Sequence, residues 1–211
     1  ISYDASGNPV AVATGTDGQV LTSTGAGSPP AFETASGGDF VLISSTALST
    51  ASSYTTDSID STYKMYKIMV NITAIGTQYA KLYLRLRASG SDITAANYDW
   101  TGGGTFRFTD DSDNGTWYDG NISDTFYPIH GLGGLDTDAG EGVSSEIVLY
   151  NPSETVGYKT MRAHANFLYD SARWYQVSTA LQYGTTAAYT GVTIYTSAGT
   201  MSGTINLYGI K

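Results

Sequence analysis

The sequence predicts an all-β protein, an antiparallel β-sandwich of jelly-roll type preceded by a short extended stalk. Three observations predict it. From residue 39 onward, runs of alternating apolar and polar residues recur at roughly ten-residue spacing, as in strands with one buried face. No segment joins a capping box to a run of helical period. Only 14% of the 211 residues are charged, while Gly numbers 25 and Tyr 17, a β-rich, extracellular style of composition. The hydrophobic share of 41% still allows a sizeable core.

Residues 1–38 come first and read as a stalk. Two turn signals, SGNP at 6–9 and TDGQ at 16–19, are each followed by a short apolar stretch, residues 10–12 and then Val20 and Leu21. The stretch GTDGQVLTSTGAGSPPAFETA, residues 15–35, cannot be a helix. Its glycines and its Pro-Pro pair break one, and its Ser and Thr side chains compete for backbone hydrogen bonds. Val20, Leu21 and Phe32 nevertheless want burial, which so short a segment can find only against copies of itself or a following domain. Ser36, Gly37 and Gly38 read as a hinge.

The strands then follow in order. DFVLISS is an apolar run. KMYKIMVNITAI puts Tyr66, Ile68, Val70 and Ile72 on one face, and YAKLYLRLRAS sets Leu82, Leu84 and Leu86 against Lys81, Tyr83, Arg85 and Arg87. SSEIVLYNP ends at a Pro turn. YKTMRAHANFLYD sets Met161, Ala163, Ala165 and Phe167 against Tyr158, Thr160, Arg162 and His164. ARWYQVSTALQY, AYTGVTIYTS and GTMSGTINLYGIK complete a set of about eight to ten strands over residues 39–211. Residues 90–142 are weakly patterned and read as long loops at one end of the sandwich.

The formal net charge of −9 disfavours nucleic acid and anionic membrane surfaces as partners. An anionic glycan would need a bridging cation or a local basic patch. With no cysteine, disulfide scaffolds, thiol catalysis and Cys-ligated zinc are excluded. No apolar run approaches the roughly eighteen residues of a helical membrane span, so membrane insertion is not expected. The first residue is Ile1, so the sequence reads as a fragment of a longer chain.

The stretch GTDGQVLTSTGAGSPPAFE closely resembles a stalk element of bacteriophage tail fibres, in which Gly-x-x-Gly-Gln-Val-Leu-Thr precedes a Gly/Ser stretch and Pro-Pro-x-Trp. Gly15, Gly18, Gln19, Val20, Leu21, Thr22, Pro29 and Pro30 match, and Phe32 replaces the Trp. Residues 40–211 are similar to fibre tip domains in their STYKMYKI and LYLRLRASG strands, the Tyr98-x-Trp100 pair and the terminal GTINLYGIK. The resemblance implies a homotrimeric fibre tip on the virion, joined to upstream fibre or other tail proteins. It implies that the tip acts outside the cell by recognising a host bacterial surface structure, often a glycan. A homotrimer would give Val20, Leu21 and Phe32 a burial partner around a three-fold axis.

Candidate chemistry concentrates in the weakly patterned region. Tyr98, Trp100, Trp117, Tyr118 and Asp119 combine aromatic faces for stacking on sugars with polar groups for hydroxyls, the mixture a saccharide site needs. The same tryptophans can instead pin loops onto the sandwich. In TDDSDNGTWYDGN, Asp110, Ser112 and Asn114 have the first spacings of a calcium loop, but Asn121 stands where a bidentate Glu is expected. Calcium is thus the one candidate cofactor there. Trp174 reads as core or subunit interface, and His130 and His164 as structural.

No nucleophile elbow, phosphate loop or dinucleotide fingerprint occurs. Asp136, Asp138 and Glu141 are carboxylates near one another in a Gly-rich loop, whose sequence alone fixes no hydrolytic separation. Asn71, Asn114 and Asn121 begin glycosylation sequons that a phage protein made in bacteria would leave bare. The reading is therefore a non-enzymatic attachment domain. Its rivals are a structural virion fibre or decoration domain that binds nothing, and a glycan-degrading tailspike.

Overall fold

The computed structural model describes residues 2–4, 6–25, 28–35, 38–108, 110, 113–130, 134–138, 141–169 and 173–211. The chain divides into two units, Ile1–Asp39 and Phe40–Lys211. In the first, β1 (Ser2–Tyr3) pairs with β2 (Pro9–Val10), and β3 (Gln19–Thr22) with β4 (Ala31–Thr34), all antiparallel. Of the turn signals read from the sequence, SGNP lies in the β1–β2 connection and TDGQ turns the chain into β3, closed by the Gln19 N–H to the Thr16 carbonyl. Gly7 and Gly18 adopt φ of 82° and 83°, a region open to glycine at no steric cost. In the second hairpin Leu21 pairs with Phe32, and Gly15 lies so close that a Cβ there would come within 2.5 Å of the Phe32 ring. Val20, Leu21 and Phe32 remain 45%, 53% and 38% exposed.

The second unit contains β5 (Phe40–Ala51), β6 (Ser53–Thr56), β7 (Met65–Ile75), β8 (Leu82–Ala88), β9 (Ser91–Asp92), β10 (Tyr98–Phe108) and β11 (Asn114–Asp124). It continues with β12 (Tyr127–Pro128), β13 (Val143–Tyr150), β14 (Lys159–Tyr169), β15 (Arg173–Tyr183), β16 (Gly191–Thr196) and β17 (Met201–Ile210). Eight strands form one sheet in the order β11-β10-β15-β14-β13-β7-β17-β5. A smaller sheet runs β12-β8-β16-β6, with β9 paired to β8. The protein is all-β, an antiparallel sandwich.

The eight runs read from the sequence all form strands. Residues 90–142, expected as long loops, are corrected: they contain β9, β12 and the long β10–β11 hairpin. The reason lies in Gly102, Gly103 and Gly104. Along β10 the alternation Tyr98-x-Trp100-x-Gly102-x-Gly104-x-Phe106 is intact, but glycine at its centre erases the apolar signal. A side chain is not tolerated at Gly104, where a Cβ would fall 2.2 Å from the Gln176 carbonyl oxygen of β15.

The core lies between the sheets. Tyr66, Ile68, Val70 and Ile72 of β7 and Ile147 and Leu149 of β13 are buried on the large sheet, as are Met161, Ala163, Ala165 and Phe167 of β14. Leu82, Leu84, Leu86, Val192 and Ile194 answer from the small one. Full burial of one such Leu or Ile is worth about 1.5–3 kcal/mol. Tyrosine hydroxyls tie the layers together. Tyr98 of the large sheet accepts the Leu86 N–H of the small one at 2.9 Å and donates to the Ile93 carbonyl at 3.0 Å. Tyr127 of the small sheet bonds the Thr179 hydroxyl of the large one.

His130, after β12, is completely buried, and its Nε2 accepts the Leu82 N–H at 2.9 Å. That bond fixes the neutral tautomer, and burial holds the imidazole at about 4, below the ordinary 6.5. A depressed pKa means that the unfolded chain binds the proton first. Stability is therefore full above pH 6.5 and falls by about 3 kcal/mol as the pH drops to about 4. Urea unfolding across this window should show the loss, and an NMR titration should find one imidazole without protonation at pH 5.5. Titration of His130 near pH 6.5 would contradict it.

Candidate functional site

Because the small sheet covers one face of the large sheet, the other face is left to carry chemistry. Strand pairing sets its side chains in straight rows. Thr116, Thr105, Gln176, Asn166, Ser144, Asn71 and Thr204 lie in register on β11, β10, β15, β14, β13, β7 and β17. All seven are uncharged and carry hydrogen-bonding groups. At the ordinary strand spacing the row runs about 30 Å. Along it the Ser144 hydroxyl donates to Asn71 Oδ1 at 3.3 Å.

The next row, one pleat along, is Tyr118, Gly103, Ser178, His164, Glu146, Met69 and Asn206. His164 Nδ1 and the Ser178 hydroxyl are 2.6 Å apart, and Glu146 pairs with Lys67 at 2.7 Å. Aromatic rings stand on this face as well: Tyr118 at 84% exposure, Trp174 at 58%, Phe40 at the β5 edge beneath Lys67, and half-buried Tyr208 in the first cleft. Shallow clefts run between the rows. One is lined by Asn71, Ser144, His164, Asn166, Thr204 and Asn206, another by Thr105, Arg107, Asn166, Trp174 and Gln176. The face therefore offers many neutral donors and acceptors, exposed aromatic rings such as Tyr118 and Trp174, and few charges.

The residues singled out in the sequence are separated by the fold. Tyr98 and Trp100 are 0% and 5% exposed and belong to the core, where no receptor reaches them. Trp100 is accommodated because its Nε1–H donates to Asp124 at 3.2 Å. Trp117 and Tyr118 are sequence neighbours on a strand and so point to opposite faces. Trp117 turns inward, half-buried against the core, with its Nε1 buried and without a partner. Asp119 is half-buried and accepts the Gly120 N–H at 2.7 Å. Of the proposed aromatic site, Tyr118 alone is on the exposed face.

Trp174, expected as core or interface, is exposed on that face because it alternates with Tyr175, which stacks inward on Phe167 at 5.2 Å. Of the calcium-loop residues, Asp110 is exposed at the tip of the β10–β11 hairpin, Asn114 opens β11 opposite Arg107, and Ser112 lies outside the described residues. The sequence reading missed the neutral row, whose members are scattered from Asn71 to Thr204. The available signal was the polar half of each alternating strand; strand order alone brings those halves together.

Comparison with protein-family models, curated proteins and solved structures found no match to the chain. The burial of Tyr98 yields a direct expectation. Tyr98→Phe leaves the buried Leu86 N–H and Ile93 carbonyl unpaired and should cost about 1–3 kcal/mol in urea unfolding. A neutral result would mean that this hydroxyl does not tie the sheets together.

Proposed function

We propose that the chain is the distal part of a phage tail fibre, a homotrimer that attaches to a bacterial surface glycan through the open face of its eight-stranded sheet. The observation that carries the reading is the neutral row beside Trp174 and Tyr118. Sugars present hydroxyls on their rims and C–H groups on their faces. Asn, Gln, Ser and Thr side chains pair with the first, and exposed aromatic rings stack on the second. A net charge of −9 carried largely off this face is compatible with a neutral ligand. Each site would bind weakly, and three copies per fibre, with several fibres per virion, would make attachment tight by avidity. The exposed apolar residues of the β3–β4 hairpin support assembly, since an isolated two-stranded hairpin is marginal in water and three copies can share a core.

The test is binding of the purified protein to a panel of bacterial envelope polysaccharides. Trp174→Ala and Asn166→Ala should each weaken binding, Trp174→Ala by roughly thirtyfold, with unfolding midpoints nearly unchanged. Val156→Ala, exposed in the turn between β13 and β14, serves as the control and should bind as the parent does. Retention of full affinity by both face variants would overturn the proposed site. Binding to none of the polysaccharides would favour a structural fibre or decoration domain, and release of oligosaccharides a tailspike.

A further inference from the structure

Between β12 and β13 the chain brings three carboxylates together. Asp136, Asp138 and Glu141 each offer an oxygen, and these oxygens lie within 4.8 Å of one another. Proximity of acids alone is common on exposed loops. Here two of the three are buried, Asp136 at 3% and Glu141 at 5% exposure. The Glu141 Oε2 is itself sealed from solvent and has no hydrogen-bond partner, so a buried acceptor within the cluster awaits a donor or a cation. The residues beside it, Leu135 and Asp136, are held from outside. Leu135 exchanges hydrogen bonds with the β7–β8 connection, accepting from the Tyr79 N–H at 2.7 Å and donating to the Ala80 carbonyl at 2.8 Å. Asp136 Oδ1 accepts from the Thr137 N–H at 2.6 Å and from the Gln78 amide at 3.3 Å.

We propose that Asp136, Asp138 and Glu141 bind one calcium ion. Three carboxylate oxygens no more than 4.8 Å apart can meet on one ion, carboxylate is the hard ligand calcium takes, and calcium accepts irregular coordination where magnesium demands a near-ideal octahedron. Backbone carbonyls and water complete the coordination, with exposed Asp138 on the solvent side. Burial, and then the charges of Asp136 and Asp138, push the Glu141 carboxyl up, and the ion relieves both. This site is separate from the Asp110 hairpin and independent of any receptor.

Isothermal titration of calcium chloride into chelator-stripped protein tests it. The expected result is one ion per chain with Kd of about 10⁻⁴–10⁻³ M, and magnesium binding at least tenfold more weakly. At calcium one hundredfold above Kd the melting midpoint should rise by about 5–10 °C. Glu141→Gln and Asp138→Asn should abolish both effects, and Asp110→Asn should retain them. Should Glu141→Gln fail to fold, the exposed Asp138→Asn carries the test alone. Absence of heat and of any thermal shift at millimolar calcium would overturn the proposal, as it would mean that a protonated Glu141 satisfies the cluster. Loss of binding in Asp110→Asn with retention in Asp138→Asn would overturn it equally.

Discussion

The structure depends on closure of two unequal sheets over one dry layer without a covalent tie. The chain has no cysteine, so burial and hydrogen bonding hold the layers together. Leu82, Leu84 and Leu86 from the small sheet face the β7, β13 and β14 side chains of the large one, and a polar group that enters the layer unpartnered costs free energy. The Tyr98 and Tyr127 hydroxyls meet this cost by bonding Leu86 and Thr179 across the layer, and His130 Nε2 by bonding Leu82 within the small sheet, while His130 Nδ1 and Trp117 Nε1 are buried without a partner. A tyrosine at these places supplies ring area and a hydroxyl at once, which suits a chain rich in Tyr and poor in charge.

Closure on one face decides the chemistry of the other. Five strands cover the inner side of eight, so the outer side of the large sheet meets solvent and its side chains fall into rows fixed by strand register. A row of neutral hydrogen-bonding side chains differs from a random polar surface in having few charges to hold water tightly. Such a row exchanges hydration water for ligand hydroxyls at lower cost than a charged one. The exposed Trp174 and Tyr118 rings add the apolar contact that hydroxyl pairing lacks.

The fold was legible where the apolar alternation was complete. The faces of β7, β8 and β14 follow from Tyr66–Ile68–Val70, Leu82–Leu84–Leu86 and Met161–Ala163–Ala165 as written in the sequence, and each of these residues is buried. Legibility fails at β10 and β11, where three glycines stand in a strand that packs backbone against backbone, so that the sequence of a hairpin reads as loops. Read so, Tyr98 and Trp100 fall on the surface rather than in the core, and Trp117 and Tyr118 look like functional neighbours rather than opposites across a sheet. The neutral row was invisible for a different reason: its members are distant in sequence, and the order β14-β13-β7-β17 that aligns them is a tertiary fact. The carboxylate cluster could be named from the sequence, but its burial and its unpartnered Glu141 oxygen could not.

The β3–β4 hairpin is where the proposed fibre assembly meets this architecture. Its Gly15–Phe32 contact and Leu21–Phe32 pair make a small apolar surface that a single chain leaves largely in water. Light scattering coupled to size exclusion tests the fibre account most directly. The account predicts a particle of three 22.3 kDa chains, falling to one when Leu21 and Phe32 are both replaced by Ser. A parent protein that runs as a stable monomer at micromolar concentration would contradict it.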